Sequence, residues 1–101
     1  MKKNIFQKEA KKAFLIELNE LKAFYASKDF NVGDLCHEIL NCKGKVFLTG
    51  VGKSGHIANK ISATFSSTGT SSFFIHPAEA LHGDMGMIEK NDCIIVLSKS
   101  G

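Results

Sequence analysis

Three short runs of apolar residues constrain the fold of this chain more than any other feature. The first, Val46–Val51, shows no alternation of polar and apolar residues and is bounded by glycines, which is typical of a strand buried on both faces of a parallel sheet. Two further runs, Ser71–Ile75 and Asp92–Leu97, predict a second and a third strand. Because parallel strands need crossover connections, the pattern predicts an α/β fold with right-handed crossovers.

The segments before and between these runs show the periodicity of helices. From Ile5 to Ala26 the apolar residues recur at three- and four-residue steps, which predicts an amphipathic helix. A second helix is indicated around Leu35–Leu40, and we expect Gly44 to act as a left-handed cap after it. Ser54–Ser67 predicts the crossover helix, and Pro77–Leu81 a short helix with proline in its first turn.

This order of elements predicts an N-terminal helical segment, residues 1–42, packing on a sheet domain, residues 43–101. The chain stops at Gly101, directly after a core strand, where a doubly wound fold would turn into its next helix. We therefore expect a fragment of a longer domain, with one side of the sheet incompletely covered.

Composition excludes several classes of protein. A hydrophobic content of 44% and a net charge of +3 argue against disorder, and no apolar run approaches the roughly 18 residues of a membrane span. The lysines are scattered, which gives little support for nucleic-acid binding. Three cysteines without a Cys-x-x-Cys pair indicate neither a disulfide framework nor a cysteine zinc site, so we expect a cytoplasmic protein.

A glycine-rich loop, Gly50–Gly55, follows the first predicted strand and opens the crossover helix. Its G-x-G-x-x-G pattern suits an anion, because free N–H groups and the helix dipole favour a phosphate there. A dinucleotide site is disfavoured because the nearest acid, Glu79, lies beyond the second strand, and a Walker loop fails because Phe47 replaces its first glycine. The remaining interpretations are a loop for a small phosphate ester, with Lys53 and Ser54 near it, or a tight turn with an exposed lysine.

Two hydroxyl clusters flank the predicted strands. Ser98 and Ser100 follow the third strand, at the carboxyl edge on which the glycine-rich loop also opens, and open α/β sheets bind ligands at that edge. The segment Ser66–Ser72 instead enters the amino end of the second strand. It is at least as well interpreted as a polar turn, and it could join the same site only through a neighbouring subunit or an unusual path.

Histidines and carboxylates cluster after the second strand, in His76–Asp84. Such groups can polarise a carbonyl, move a proton or bind a divalent metal, although their spacing matches no zinc pattern. We interpret His37 and His56 as structural or exposed histidines, and the isolated cysteines as small buried hydrophobic residues.

Four segments together carry a resemblance to a known family. They are Gly50–Ile57, Ala63–Thr70, Phe73–Pro77 and His82–Gly86, and they resemble the sugar-isomerase (SIS) domain of D-arabinose-5-phosphate isomerases over about Lys43–Gly101. The resemblance implies a flavodoxin-like, three-layer αβα sandwich with a parallel sheet, incomplete in this chain. It also implies interconversion of D-ribulose 5-phosphate and D-arabinose 5-phosphate on the way to the Kdo sugar of lipopolysaccharide or capsule.

The same resemblance implies roles for individual residues. Lys53 and His82 are the expected catalytic residues, and His76 is also a possible zinc ligand, although no cofactor is required. The expected substrate-binding residues are Gly52, Ser54, Gly69, Thr70, His76, His82, Ser98 and Ser100.

The chain also departs from the family pattern. The glutamate that usually follows the Ser-x-Ser-Gly loop is missing, as are a later glutamate and histidine associated with proton transfer. These absences put the activity of this chain in question. The alternative function is a non-catalytic, sugar-phosphate-binding regulatory module, because SIS folds also serve as such modules. In either case we expect a homo-oligomer with a sugar-phosphate ligand and no nucleic-acid or membrane partner.

Overall fold

A three-stranded parallel sheet organises the C-terminal part of the chain. The structure is a computed structural model and describes residues 2–101. Strand β1 (Val46–Gly50) is central, with β2 (Ser72–Phe74) on one side and β3 (Cys93–Leu97) on the other. Val46 pairs with Ser72 in β2 and with Cys93 in β3, and both pairings are parallel. The predicted α/β fold with a parallel sheet is confirmed.

The chain divides into two compact units, Met1–Leu35 and Cys36–Gly101. The first contains helix α1 (Lys2–Ala26) and a turn in which the ring of Phe30 stacks edge-on against Phe24 and Tyr25, with centroid distances of 5.2 and 6.0 Å. No residue of α1 is buried. Nowhere in residues 2–101 does a helix have both the length and the apolar character to cross a membrane.

Helix α2 (Val32–Asn41) contains the boundary between the two units. The predicted domain boundary, between residues 42 and 43, falls just after the end of this helix and stays a prediction. The helix itself confirms the one indicated around Leu35–Leu40 and is longer at its start.

One face of the sheet packs on helix α3 (Lys53–Ser67), the predicted crossover helix. Val46 and Leu48 of β1 and Ala58 of α3 are at most 1% exposed and form the centre of this core. Half-buried apolar side chains surround them, among them Ile39, Ile61, Phe65 and Ile95. A buried hydroxyl pair joins the same layers, since Ser72 donates to the Ser62 hydroxyl at 3.0 Å.

The opposite face carries the short helix α4 (Pro77–Leu81) and a 3₁₀ helix (Asp84–Met87), of which only α4 was predicted. Together with Phe47 and other apolar residues of the sheet, these helices line a 230 Å³ cavity. The central strand β1 is buried on both faces as predicted. The edge strand β3 instead alternates, with Ile94 and Val96 exposed, because only its α3 side is well covered.

The prediction that Gly44 forms a left-handed cap is wrong. Within residues 2–101 the glycines with positive φ are Gly52, Gly69, Gly83 and Gly101. The N–H of Gly44 donates to the Asn91 carbonyl at 3.0 Å, and a Cβ at position 44 would lie 2.8 Å from that oxygen and would also collide with the Asp92 carboxylate. A glycine is required here because the Asn91 backbone and the Asp92 carboxylate approach closely, and not because the backbone of Gly44 is left-handed.

Candidate functional site

The glycine-rich loop makes a tight turn between β1 and α3. Gly52 has φ of 62° and ψ of −128°, a backbone conformation that residues other than glycine rarely adopt. Gly55 lies against the end of β1, so that a Cβ on it would be 2.5 Å from the Gly50 carbonyl oxygen. These two glycines hold the start of α3 directly beside the carboxyl end of the central strand.

The start of α3 is available to an anion. No side chain caps this end of the helix, and the His56 N–H donates to the Gly52 carbonyl at 3.2 Å. The N–H groups at the start of a helix have no partner within it and carry a partial positive charge from the helix dipole. The turn therefore presents unpaired donors at the carboxyl edge of the sheet.

Serines from two segments of the chain line a 480 Å³ cavity at this edge. Ser54 comes from the start of α3, and Ser98 and Ser100 come from the segment after β3. They are neighbours because β1 and β3 pair in parallel to their ends, with Gly50 opposite Leu97. The structure thus brings together three of the residues predicted to bind a phosphate.

Lys99 lines the same cavity and was not predicted as a site residue. Lys99 is exposed, and its ammonium group brings a positive charge to the lining of this cavity, which would favour a doubly charged phosphate ester. One feature of the sequence could have indicated Lys99, namely its position between Ser98 and Ser100 at the carboxyl end of a core strand.

His76 follows β2 and caps the N-terminus of α4. Its Nδ1 accepts a hydrogen bond from the Ala78 N–H at 3.1 Å, so the neutral ring carries its proton on Nε2. The side chain lines a second, 140 Å³ cavity together with His56, Asn59 and the three glycines of the loop. His56 is exposed, which agrees with its interpretation as a structural or exposed histidine. It nevertheless lines this cavity beside His76.

A zinc site at His76 does not fit the residues around it. Over residues 2–101 there is no group of three or more His, Cys, Asp or Glu side chains that could hold a metal ion. The Nδ1 of His76 is already engaged by Ala78, which leaves Nε2 as its one possible ligand atom. Structural and catalytic zinc sites use three or four protein ligands.

The two residues expected to be catalytic lie outside the serine cavity. Lys53 is exposed at the first position of α3, and His82 is exposed at the end of α4, where its N–H donates to the Glu79 carbonyl at 3.1 Å. Among the described residues, neither side chain lines the cavity at Ser54 or the one at His76. The structure therefore brings predicted phosphate-binding serines together at one cavity, and Lys53 and His82 do not line that cavity.

Gly69 and Thr70 lie at the opposite edge of the sheet. They line a 330 Å³ groove with Ser66, Ser71 and Ser72, at the amino end of β2. The Thr70 N–H donates to the Phe65 carbonyl at 2.9 Å, and the Ser66 hydroxyl donates to the Ser72 carbonyl at 3.0 Å. These internal bonds are typical of a polar turn, and within this chain the segment does not reach the serine cavity.

Comparison with known proteins places these features in context. The family model of the SIS domain matches residues 39–101. The chain is 48% identical over 98 residues to the arabinose 5-phosphate isomerase KdsD of Salmonella typhi, an alignment that covers 95% of this chain and 29% of the relative. It is 67% identical over 63 residues to the arabinose 5-phosphate isomerase KpsF of Escherichia coli O6:H1, covering 62% of this chain and 19% of that protein.

Comparison with solved structures also finds a similar protein. The chain superposes on E. coli CFT073 c3406 in complex with arabinose 5-phosphate with a TM-score of 0.80 and 44% identity. The match covers 94% of this chain and 51% of that one. The chain thus spans about half of this neighbour and less than a third of the KdsD relative.

Proposed function

The chain belongs to the SIS domain family, and on that premise we propose that it binds a sugar phosphate in the cavity between Ser54 and Ser98–Ser100. We further propose that it belongs to a cytoplasmic aldose–ketose isomerase that interconverts D-ribulose 5-phosphate and D-arabinose 5-phosphate. The observation that carries the proposal is the meeting, at one edge of the sheet, of the uncapped start of α3 with Ser54 and the segment Ser98–Ser100 after β3.

The chemistry of the cavity suits the phosphate end of such a substrate. Serine hydroxyls and helix N–H groups donate hydrogen bonds to phosphate oxygens, and Lys99 offsets part of their charge. The sugar would then extend from the phosphate towards Pro77 and Ala80 of α4, which also line the cavity.

The reaction at the other end of the sugar is a proton transfer that needs no cofactor. A base removes a proton from C1 of the ketose while the C2 carbonyl oxygen gains one, which gives an enediol. Return of a proton to C2, with loss of one from the oxygen on C1, completes the aldose. We assign Lys53 and His82 to this end, and His76 to substrate contact through Nε2.

The names of two relatives support a proposal about the biological role. KdsD and KpsF are both named arabinose 5-phosphate isomerases. We propose that the product of this protein serves synthesis of the Kdo sugar of lipopolysaccharide or capsule.

A binding experiment on the 101-residue chain tests the phosphate site. Titration with D-arabinose 5-phosphate, followed by NMR, should show saturable binding, whereas D-arabinose should bind far more weakly because it has no phosphate. Ser98→Ala should weaken binding about tenfold, the loss expected for one hydrogen bond to a charged group. The matched control is Ser71→Ala at the opposite edge, which should bind as the unaltered chain does. Equal loss in both variants, or equal binding of the two sugars, would contradict the proposed site.

A non-catalytic sugar-phosphate-binding module is the second candidate. It is favoured by one observation, namely that the cavity is lined by residues predicted to bind phosphate, whereas Lys53 and His82 do not line it. Lys53→Ala in the full reading frame distinguishes the two functions. Loss of turnover of D-ribulose 5-phosphate with binding retained supports the isomerase, and binding without turnover in the unaltered protein supports the module.

We also propose that the protein self-associates. Large apolar side chains such as Phe6 and Phe14 in α1, and Ile94 and Val96 in β3, are exposed, and burying such surface favours association. Light scattering after size exclusion would give the mass, and a monomer at micromolar concentration would contradict this part of the proposal.

A further inference from the structure

Two backbone segments lie side by side at the amino edge of the sheet, away from the candidate phosphate site. The Gly44 N–H donates to the Asn91 carbonyl at 3.0 Å, and the Cys93 N–H donates to the Lys45 carbonyl at 2.9 Å. The Lys45 N–H also donates to the Asp92 carboxylate at 2.8 Å. These bonds fix residues 42–45 against residues 91–93.

Each of these two segments carries a cysteine. The Cys42 sulfur lies 3.5 Å from the Asn91 carbonyl oxygen and 3.7 Å from that of Lys45, which also accepts the Cys93 N–H. Both cysteines are half-buried, both pack against the core centred on Val46, and both line one open 450 Å³ cleft. The third cysteine, Cys36, is exposed and does not line this cleft.

We propose that Cys42 and Cys93 form a reversible disulfide when the protein meets a hydroperoxide. In the first step one thiolate attacks the peroxide, which breaks the O–O bond and leaves a sulfenic acid and water. In the second step the other thiol attacks that sulfur and displaces a second water. Two thiols and one hydrogen peroxide thus give one disulfide and two waters, and the two electrons lost by sulfur reduce the peroxide.

The surroundings of the two sulfurs suggest the order of attack. Burial raises the pKa of the Cys93 thiol, and the neighbouring Cys42 and Glu38 raise it further. Little Cys93 thiolate is therefore present at neutral pH, and since the thiolate is the nucleophile, Cys93 is disfavoured as the first thiol to attack and we place Cys42 in that role. Cys93 then acts as the resolving thiol.

The disulfide would connect the residue after α2 to the start of β3, and the covalent loop would contain every element between them, from β1 to the 3₁₀ helix. Closing a long loop lowers the entropy of the unfolded chain, so the oxidised protein should unfold at a higher urea concentration. The serine cavity lies at the other end of the strands, so sugar-phosphate binding should not change. The proposed disulfide and the proposed sugar-phosphate site therefore do not depend on each other.

Peptide mapping of the 101-residue chain after brief treatment with hydrogen peroxide tests this proposal. Free thiols are alkylated in denaturant and the digest is analysed by mass spectrometry without reduction. The expected result is one peptide pair that contains Cys42 and Cys93, lighter by two hydrogen atoms than the sum of its parts and separated by dithiothreitol. Because this measurement uses the unaltered chain, it does not depend on how well a variant folds.

Two variants complete the test. Cys93→Ser should leave a sulfenic acid on Cys42 that dimedone traps, and the matched control Cys36→Ser should form the Cys42–Cys93 pair as the unaltered chain does. Bonds that involve only Cys36, oxidation of single cysteines to sulfinic acid without a crosslink, or chain-to-chain disulfides alone would each overturn the proposal.

Discussion

Replacing Gly55 with alanine perturbs the contact between the end of β1 and the start of α3. A Cβ at this position would lie 2.5 Å from the Gly50 carbonyl oxygen and 3.2 Å from its carbon. Both atoms belong to the backbone of the central strand, so they cannot move aside as the end of a flexible side chain could. We expect α3 to shift away from the strand and to open the turn that presents its N–H groups.

The size of the effect follows from two opposing contributions. Overpacking of a tight interior contact costs typically about 1–3 kcal/mol. Alanine in place of glycine in a helix interior contributes up to about 1 kcal/mol in the opposite direction, and less near the helix end. We therefore expect the free energy of unfolding to fall by about 1–2 kcal/mol, together with weaker sugar-phosphate binding.

Urea unfolding followed by circular dichroism measures the first quantity, and the NMR titration measures the second. Gly33→Ala is the matched control, because Gly33 also lies in the first turn of a helix but has nothing within 4 Å of its added Cβ. This control should be neutral or stabilising by up to about 1 kcal/mol. If Gly55→Ala behaved like Gly33→Ala, the close contact would not exist and the geometry of the turn would have to be reconsidered.

Two further predictions concern the core and the amino edge of the sheet. Leu48→Ala should lower the free energy of unfolding by about 2–5 kcal/mol, because Leu48 is 1% exposed at the centre of the core. The control Leu81→Ala should change the free energy of unfolding by less than about 0.5 kcal/mol, because Leu81 is 88% exposed. The N–H groups of Glu89 and Lys45 donate to the Asp92 carboxylate and lower its pKa. Since the folded pKa is depressed, this stabilisation is complete above the unfolded pKa of about 4 and is lost as the pH falls through the lower, folded value. Asp92→Asn should therefore reduce the dependence of the urea midpoint on pH below about 4, and an unchanged dependence would contradict this role of Asp92.

Much of the fold could be predicted from local patterns. The run of apolar residues in β1 has no alternation because the strand is central and covered on both faces. The short helix Pro77–Leu81 was predicted with the bounds that the structure shows, since proline at the first position marks its start. The 3₁₀ helix Asp84–Met87 was not predicted, because one such turn has no apolar period of its own.

The candidate site was predictable only in part. The position of Ser54 after one core strand, and of Ser98 and Ser100 after another, was enough to place them at one edge of a parallel sheet. Lys99 could not be assigned in this way, because an exposed lysine in a loop is usually just solvated. Nor could the placement of Lys53 and His82 outside the serine cavity be read from their positions in the sequence.

What the sequence alone determined is the identity and order of the strands and α-helices, the turn between β1 and α3, and the family. These depend on residues close together in the chain, where backbone sterics and hydrophobic periodicity act directly. Only the tertiary structure decided that Gly44 is required by the approach of Asn91, and that Cys42 and Cys93 share one cleft. Such contacts join segments far apart in sequence, and they arise only after strand order and register have fixed which backbone lies beside which.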